Sequence, residues 1–108
     1  MKLPRNMSSE LNILHDYITD ALCKLYSDDG FETSFCEVNF LIRQLSRLGD
    51  YFHRSGYPYP MIKSPMGAYI KIILNWIDRN VPDSLRWSDN IDLPRLTKLC
   101  KRYEVKWQ

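Results

Sequence analysis

The sequence predicts an all-α fold, a compact bundle of four principal helices over about residues 9–28, 34–55, 64–80 and 92–104, with the third helix at the centre. Three observations predict it. Apolar residues recur at steps of three and four in separate segments, which is the spacing of one helical face. The run from Met66 to Ile77 is apolar on nearly every side, with only Lys71 and Asn75 polar between Ala68 and Ile77; a helix of that kind, too short for a bilayer, belongs inside a core or an interface. No segment alternates apolar and polar residues for long enough to make a strand, and no repeat or low-complexity tract occurs. A chain of 108 residues has the size of one domain and can close a core without covalent staples.

The first helix is expected to start at Ser8 or Ser9, either of which can cap free amides. Leu11, Leu14, Ile18, Ala21, Leu22 and Leu25 make one stripe, with Asp16 and Asp20 off it. Asp28-Asp29-Gly30 ends this helix, Gly30 being the residue suited to a left-handed exit. It lacks the later ligands of a calcium loop. Ser34-Phe35-Cys36-Glu37 matches the capping box and starts the second helix. Val38, Leu41, Leu45, Leu48 and Phe52 then step without a break, widened by Phe40, Ile42 and Tyr51, and Ser55-Gly56 closes the segment. Gly49 within it points to a bend or a close approach, since glycine in a helix costs about 1 kcal/mol relative to alanine. Tyr57 to Lys63, with Pro58 and Pro60, reads as an extended connection. Ser64 then caps the third helix, with Pro65 in the first helical position. Lys71, Asn75 and Asp78 form its polar strip, and Val81-Pro82 stops it. A short helical turn is expected over 82–87. Asp92 caps the last helix, where Leu93, Leu96, Leu99, Cys100 and Tyr103 share one arc.

Composition excludes several classes. Apolar residues at 44% and charged residues at 26% are globular rather than disordered values. No apolar stretch is long enough to span a membrane, and nothing after Met1-Lys2-Leu3-Pro4-Arg5-Asn6 reads as a secretory leader, so a cytoplasmic location is expected. Three widely spaced cysteines, Cys23, Cys36 and Cys100, fit neither a disulfide framework nor zinc spacing. Each lies among apolar neighbours, and each is expected to be reduced and buried. No metal or cofactor is expected. His15 and His53 fall on different helices with no nucleophile spacing around them, and none of the four glycines builds a phosphate loop. An enzyme is not expected.

Two surfaces remain for function. Tyr57, Pro58, Tyr59, Pro60 and Met61 combine rigid aromatic area with low entropic cost, as interface anchors do, or else fold back as a lid on the third helix. The net charge of +2 is unevenly spread: residues 91–108 carry +3, from Arg95, Lys98, Lys101, Arg102 and Lys106 against Asp92 and Glu104. That face could neutralise phosphates, with Tyr103 and Trp107 beside it for stacking. Three tryptophans, seven tyrosines and four phenylalanines also leave aromatic area for a homodimer surface. The expected function is a small protein-protein interaction module, an adaptor, inhibitor or regulator of a larger protein, of the kind found among phage, viral or mobile-element accessory factors. Nucleic-acid binding through the basic last helix is the alternative.

Overall fold

The computed structural model describes residues 9–82 and 90–107. Ser8 and the expected turn beyond Pro82 lie outside them. Among the described residues four helices follow one another, α1 (Ser9–Tyr26), α2 (Phe35–Arg54), α3 (Tyr59–Asn80) and α4 (Leu93–Arg102), and there is no strand. The all-α bundle predicted by the periodicities is the fold of this chain. Helix α3 packs against all three others, and so does α2, while α1 and α4 flank this central pair.

The stripes read from the sequence are the buried faces. Leu11, Ile18, Leu22 and Leu25 of α1 are buried, as are Val38, Leu41, Ile42, Leu45, Leu48 and Phe52 of α2. Met66, Tyr69, Ile70, Ile73, Leu74, Trp76 and Ile77 of α3 join them, and Leu96, Leu99, Cys100 and Tyr103 close the core from α4. Lys71, Asn75 and Asp78 are exposed, as expected of the polar strip.

Caps explain most of the boundaries. Ser34 Oγ accepts from the Glu37 amide at 3.2 Å and its hydroxyl donates to Glu37 Oε1 at 3.2 Å. Asp92 Oδ1 accepts from the Arg95 amide at 3.3 Å. At the end of α2, Gly56 has φ 81°, its amide donates to His53 O and the Tyr57 amide reaches back to Phe52 O. The Phe52 and Tyr57 rings, 5.4 Å apart, add the apolar contact that accompanies such an exit. Helix α4 leaves by the same route, with Glu104 at φ 57° in the position glycine usually takes.

Three expectations are corrected. Helix α3 starts at Tyr59, not at Ser64, so Tyr57–Lys63 is not an extended connection. Pro58 is the N-cap in an extended conformation and Pro60 falls in the first turn, where a missing amide costs nothing. Pro65 therefore lies inside the helix and forgoes the bond to the Met61 carbonyl, a loss of about 3 kcal/mol in a free helix. Burial of Ile62, Met66, Tyr69 and Ile70, each worth roughly 1.5–3 kcal/mol, outweighs it. Second, the left-handed residue after α1 is Phe31 (φ 56°) rather than Gly30. Its ring lies 5.1 Å from Phe35 and 5.4 Å from Trp76, and its amide donates to Asn80 Oδ1 at 3.0 Å; these contacts hold a conformation that costs a non-glycine residue about 1–2 kcal/mol. Third, Cys23 and Cys36 are exposed, and only Cys100 is buried, its thiol pushed up by desolvation.

Gly49 marks a close approach. A Cβ there would overlap Tyr103 Oη and sit 3.5 Å from Met66 Cε. Tyr103 is 1% exposed and its ring is stacked on Tyr59 at 6.3 Å, so it cannot swing aside without breaking that stack. Gly49→Ala is expected to lose roughly 1–3 kcal/mol by overpacking, despite alanine's better helix propensity. Gly56→Ala, with open space around it but a left-handed backbone, is expected to lose about 1 kcal/mol. Urea unfolding of the two variants checks both.

Candidate functional site

The surface predicted at Tyr57–Met61 is divided by the structure. Tyr57 is half-buried against Phe52. The Tyr59 hydroxyl lies 2.9 Å from both Arg102 O and Glu104 Oε2, sharing its one proton between the two acceptors, and its ring stacks on Tyr103. Glu104 in turn pairs with Lys63 at 3.1 Å. The two tyrosines thus tie the start of α3 to the end of α4, while Pro58, Pro60 and Met61 are exposed.

The basic face of α4 is also partly engaged. Arg95 pairs with Asp92 at 3.1 Å and Arg102 with Asp50 at 2.9 Å. Lys98, Lys101 and Lys106 are exposed, and Trp107 is half-buried. Arg95, Lys98 and Arg102 line a hollow with Ser46 of α2, but Asp92 and Asp50 bring negative charge to two of its three cations. Asn39 fixes α4 against α2, donating to Asn90 O at 2.7 Å and accepting from the Asp92 amide at 2.8 Å.

A third surface lies along the seam of α1 and α2. Ile13 is 70% exposed, Tyr17 48% and Phe40 42%. The Tyr17 and Phe40 rings meet edge to face across the seam at 5.9 Å. On either side of this pair the seam opens into hollows of about 580 and 490 Å³. The first is lined by Glu10, Ile13, Leu14, Gln44, Arg47 and Tyr51. The second runs on past Asp20, Lys24, Cys36 and Glu37. Tyr17 and Phe40 line both, so the two form one furrow. The signal was in the sequence: Ile13 and Tyr17 stand four apart on α1, off the stripe that fills the core, and Phe40 stands off the stripe of α2.

The most perturbed ionisable group is elsewhere. Asp28, 7% exposed, accepts from the Gly30 and Glu32 amides through Oδ1 at 3.2 and 3.0 Å. Its Oδ2 accepts from the Thr33 amide and from Trp76 Nε1, both at 2.9 Å. Four donors hold the charged form, the Trp76 indole first, and the carboxyl lies far below the usual carboxylate range. Strongly shifted groups gather at active sites, yet here both oxygens are occupied by internal donors, so Asp28 anchors the α1–α2 connection rather than a substrate. Arg79 completes the junction. Its Nη2 donates to the Leu25 and Tyr26 carbonyls at 3.1 Å, and its Nε pairs with Asp29. His15 Nε2 lies 2.7 Å from Tyr69 Oη; burial lowers the histidine and raises the tyrosine. Among the described residues no group of three or more His, Cys, Asp or Glu can hold a metal, and no helix is long and apolar enough to cross a membrane.

Comparison of the chain with protein-family models, curated proteins and solved structures finds no match. The fold and its surfaces therefore define a class, an all-α four-helix bundle with an open apolar furrow, and go no further by likeness.

Because the folded state holds Asp28 ionised below its ordinary value, its contribution to stability is full above about pH 4–5 and fades as pH falls through the normal carboxylate range and beyond. Asp28→Asn is expected to melt below wild type at neutral pH and to show a shallower loss between pH 5 and pH 2. Asp28→Ala, which strands the Trp76 indole and three backbone amides, is expected to be the least stable of the three. Thermal melts followed by tryptophan fluorescence across that pH range decide it, and parallel acid profiles for Asp28→Asn and wild type would remove Asp28 as the cause.

Proposed function

We propose that this chain is a small protein-protein interaction module, acting by binding rather than by catalysis, and that its recognition surface is the α1–α2 furrow around Ile13, Tyr17 and Phe40. The observation that carries the reading is the contrast between surfaces. Tyr57 and Tyr59, the anchors favoured by the sequence, are spent on internal contacts. Ile13, Tyr17 and Phe40 are exposed, and half-buried Leu14, Ala21 and Tyr51 line the same two hollows. Single exposed apolar residues are ordinary; a contiguous group lining a furrow is what protein partners use. Pro58, Pro60 and Met61 are on this reading a secondary patch at most.

Ile13→Asp changes a side chain that is 70% exposed, so its stability is expected to stay within about 0.5 kcal/mol of wild type; Phe40→Ala gives up the edge-to-face contact with Tyr17 and is expected to lose about 0.5–1.5 kcal/mol while remaining folded. Capture of a binding protein by immobilised chain is expected to be lost in both and retained in Tyr57→Ala, which instead destabilises the fold. Capture unaffected by Ile13→Asp and Phe40→Ala would place the recognition surface somewhere else.

A further inference from the structure

The charges around the furrow alternate in sign at its four corners. At one end Glu10 stands on the α1 side and Arg47 on the α2 side. At the other end Lys24 stands on the α1 side and Glu37 on the α2 side. All four side chains are exposed. Arg47 donates to Gln44 of its own helix, and no ion pair is seen across the seam between these residues. Asp20 adds a negative charge beside Lys24, so the Lys24 corner is the weakest of the four.

Such a pattern is complementary to itself. When two copies face each other across a two-fold axis lying in the plane of the face, each corner meets a different corner of its partner. With the axis along the furrow, Glu10 meets the second copy's Arg47 and Lys24 meets its Glu37. With the axis across the furrow, Glu10 meets Lys24 and Arg47 meets Glu37. Among these four residues each meeting joins opposite charges, although Asp20 offsets Lys24 at its corner, so Glu10, Arg47 and Glu37 carry most of the complementarity; either arrangement brings the two Tyr17–Phe40 pairs together as an apolar centre. A face of one sign, or one polarised from end to end or side to side, does not have this property for both axes. We propose that the occupant of the furrow is a second copy of this chain, forming an isologous dimer. This rests on the reading of the furrow as the recognition surface.

The expected strength follows from size. Helix α1 has 18 residues, so the face is about 27 Å long at ~1.5 Å rise per residue and about 20 Å across two helices. That is roughly 540 Å² in plan, below the ~800 Å² per partner of a standard interface. The dimer is therefore weak and concentration-dependent, with the apolar centre supplying affinity and the corners supplying selectivity.

Sedimentation equilibrium of the full chain over a wide concentration range at low salt tests it. The mass is expected to rise from 12.9 kDa towards twice that value. Ile13→Asp is expected to stay monomeric, and Arg47→Glu, which sets like charges together in both arrangements, to weaken association about tenfold or more. The decisive variant reverses all four corners at once (Glu10→Lys, Lys24→Glu, Glu37→Lys, Arg47→Glu); it is expected to regain self-association but not to pair with wild type. Circular dichroism confirms that each variant is folded. A dimer indifferent to Ile13→Asp and Arg47→Glu, or four-corner reversal without recovery, overturns the proposal. A chain that is monomeric throughout, yet captures a different protein in a manner abolished by Ile13→Asp, overturns the second copy as occupant and leaves the furrow as recognition surface. Monomer with no such capture removes both.

Discussion

The arrangement of this bundle depends on one carboxylate. Helices α1 and α2 are joined by a connection with three acidic residues, one glycine and a phenylalanine in the left-handed region, none of which fixes a direction by itself. Asp28 does so by drawing three backbone amides of that connection around its oxygens and attaching the whole to the Trp76 indole of α3. A charged acceptor forms stronger hydrogen bonds than a neutral one, and burial makes any unmet donor around it costly. The Asp28 carbonyl is held as well, by Asn80 Nδ2 at 2.8 Å. Arg79 then bonds the Leu25 and Tyr26 carbonyls at the end of α1, the first of which also accepts from the Asp28 amide. The turn between two helices is thereby bolted to the end of a third.

That junction also bears on how much of the fold the sequence discloses. Apolar spacing discloses α1, α2 and α4 well because each has a single continuous buried stripe. The start of α3 is hidden because Pro58 and Pro60 carry the same local message in a coil and in a first helical turn. Only the burial of Ile62 against the rest of the core separates the two, and that is a tertiary fact. Ser64-Pro65 imitates a helix start for the same reason. Gly30 and Phe31 show the reverse case: glycine is the cheaper residue for a left-handed position, but the ring contacts and the bond to Asn80 act on Phe31. Likewise Asp28 reads in the sequence as a helix-ending residue, since the indole 48 positions away that gives it its role leaves no local trace.

The candidate surfaces were legible to a different degree. Tyr57 and Tyr59 are equally suited to an interface and to a lid, and sequence spacing cannot choose between them; Tyr103 and the α4 carbonyl do, by receiving Tyr59. The cationic residues of α4 are correctly placed on one face, but Asp50, distant in sequence, meets Arg102 there. The furrow was within reach. Ile13 and Tyr17 fall outside the stripe of α1, and an amphipathic helix with apolar residues beyond its buried arc has something left to cover.

What remains to be explained is why such residues persist beside a core that has no need of them. Helix α1 meets α3 and α2 but has no extended contact with α4, so no helix among the described residues covers its outer flank. Filling the hollows at either side of Tyr17 and Phe40 from within would require longer side chains at Ala21 or Gln44, and those positions hold short or polar ones. The edge-to-face pair instead spans the seam and keeps both hollows open. An apolar centre of that size gives affinity without direction, since oily surfaces attract each other in any register. Direction comes from the charged corners, where a wrong alignment sets like charges together and a right one does not. On this argument the same helix pair divides its labour by face. The inner stripes build the bundle, and the outer furrow, framed by Glu10, Lys24, Glu37 and Arg47, is the surface proposed to select a partner.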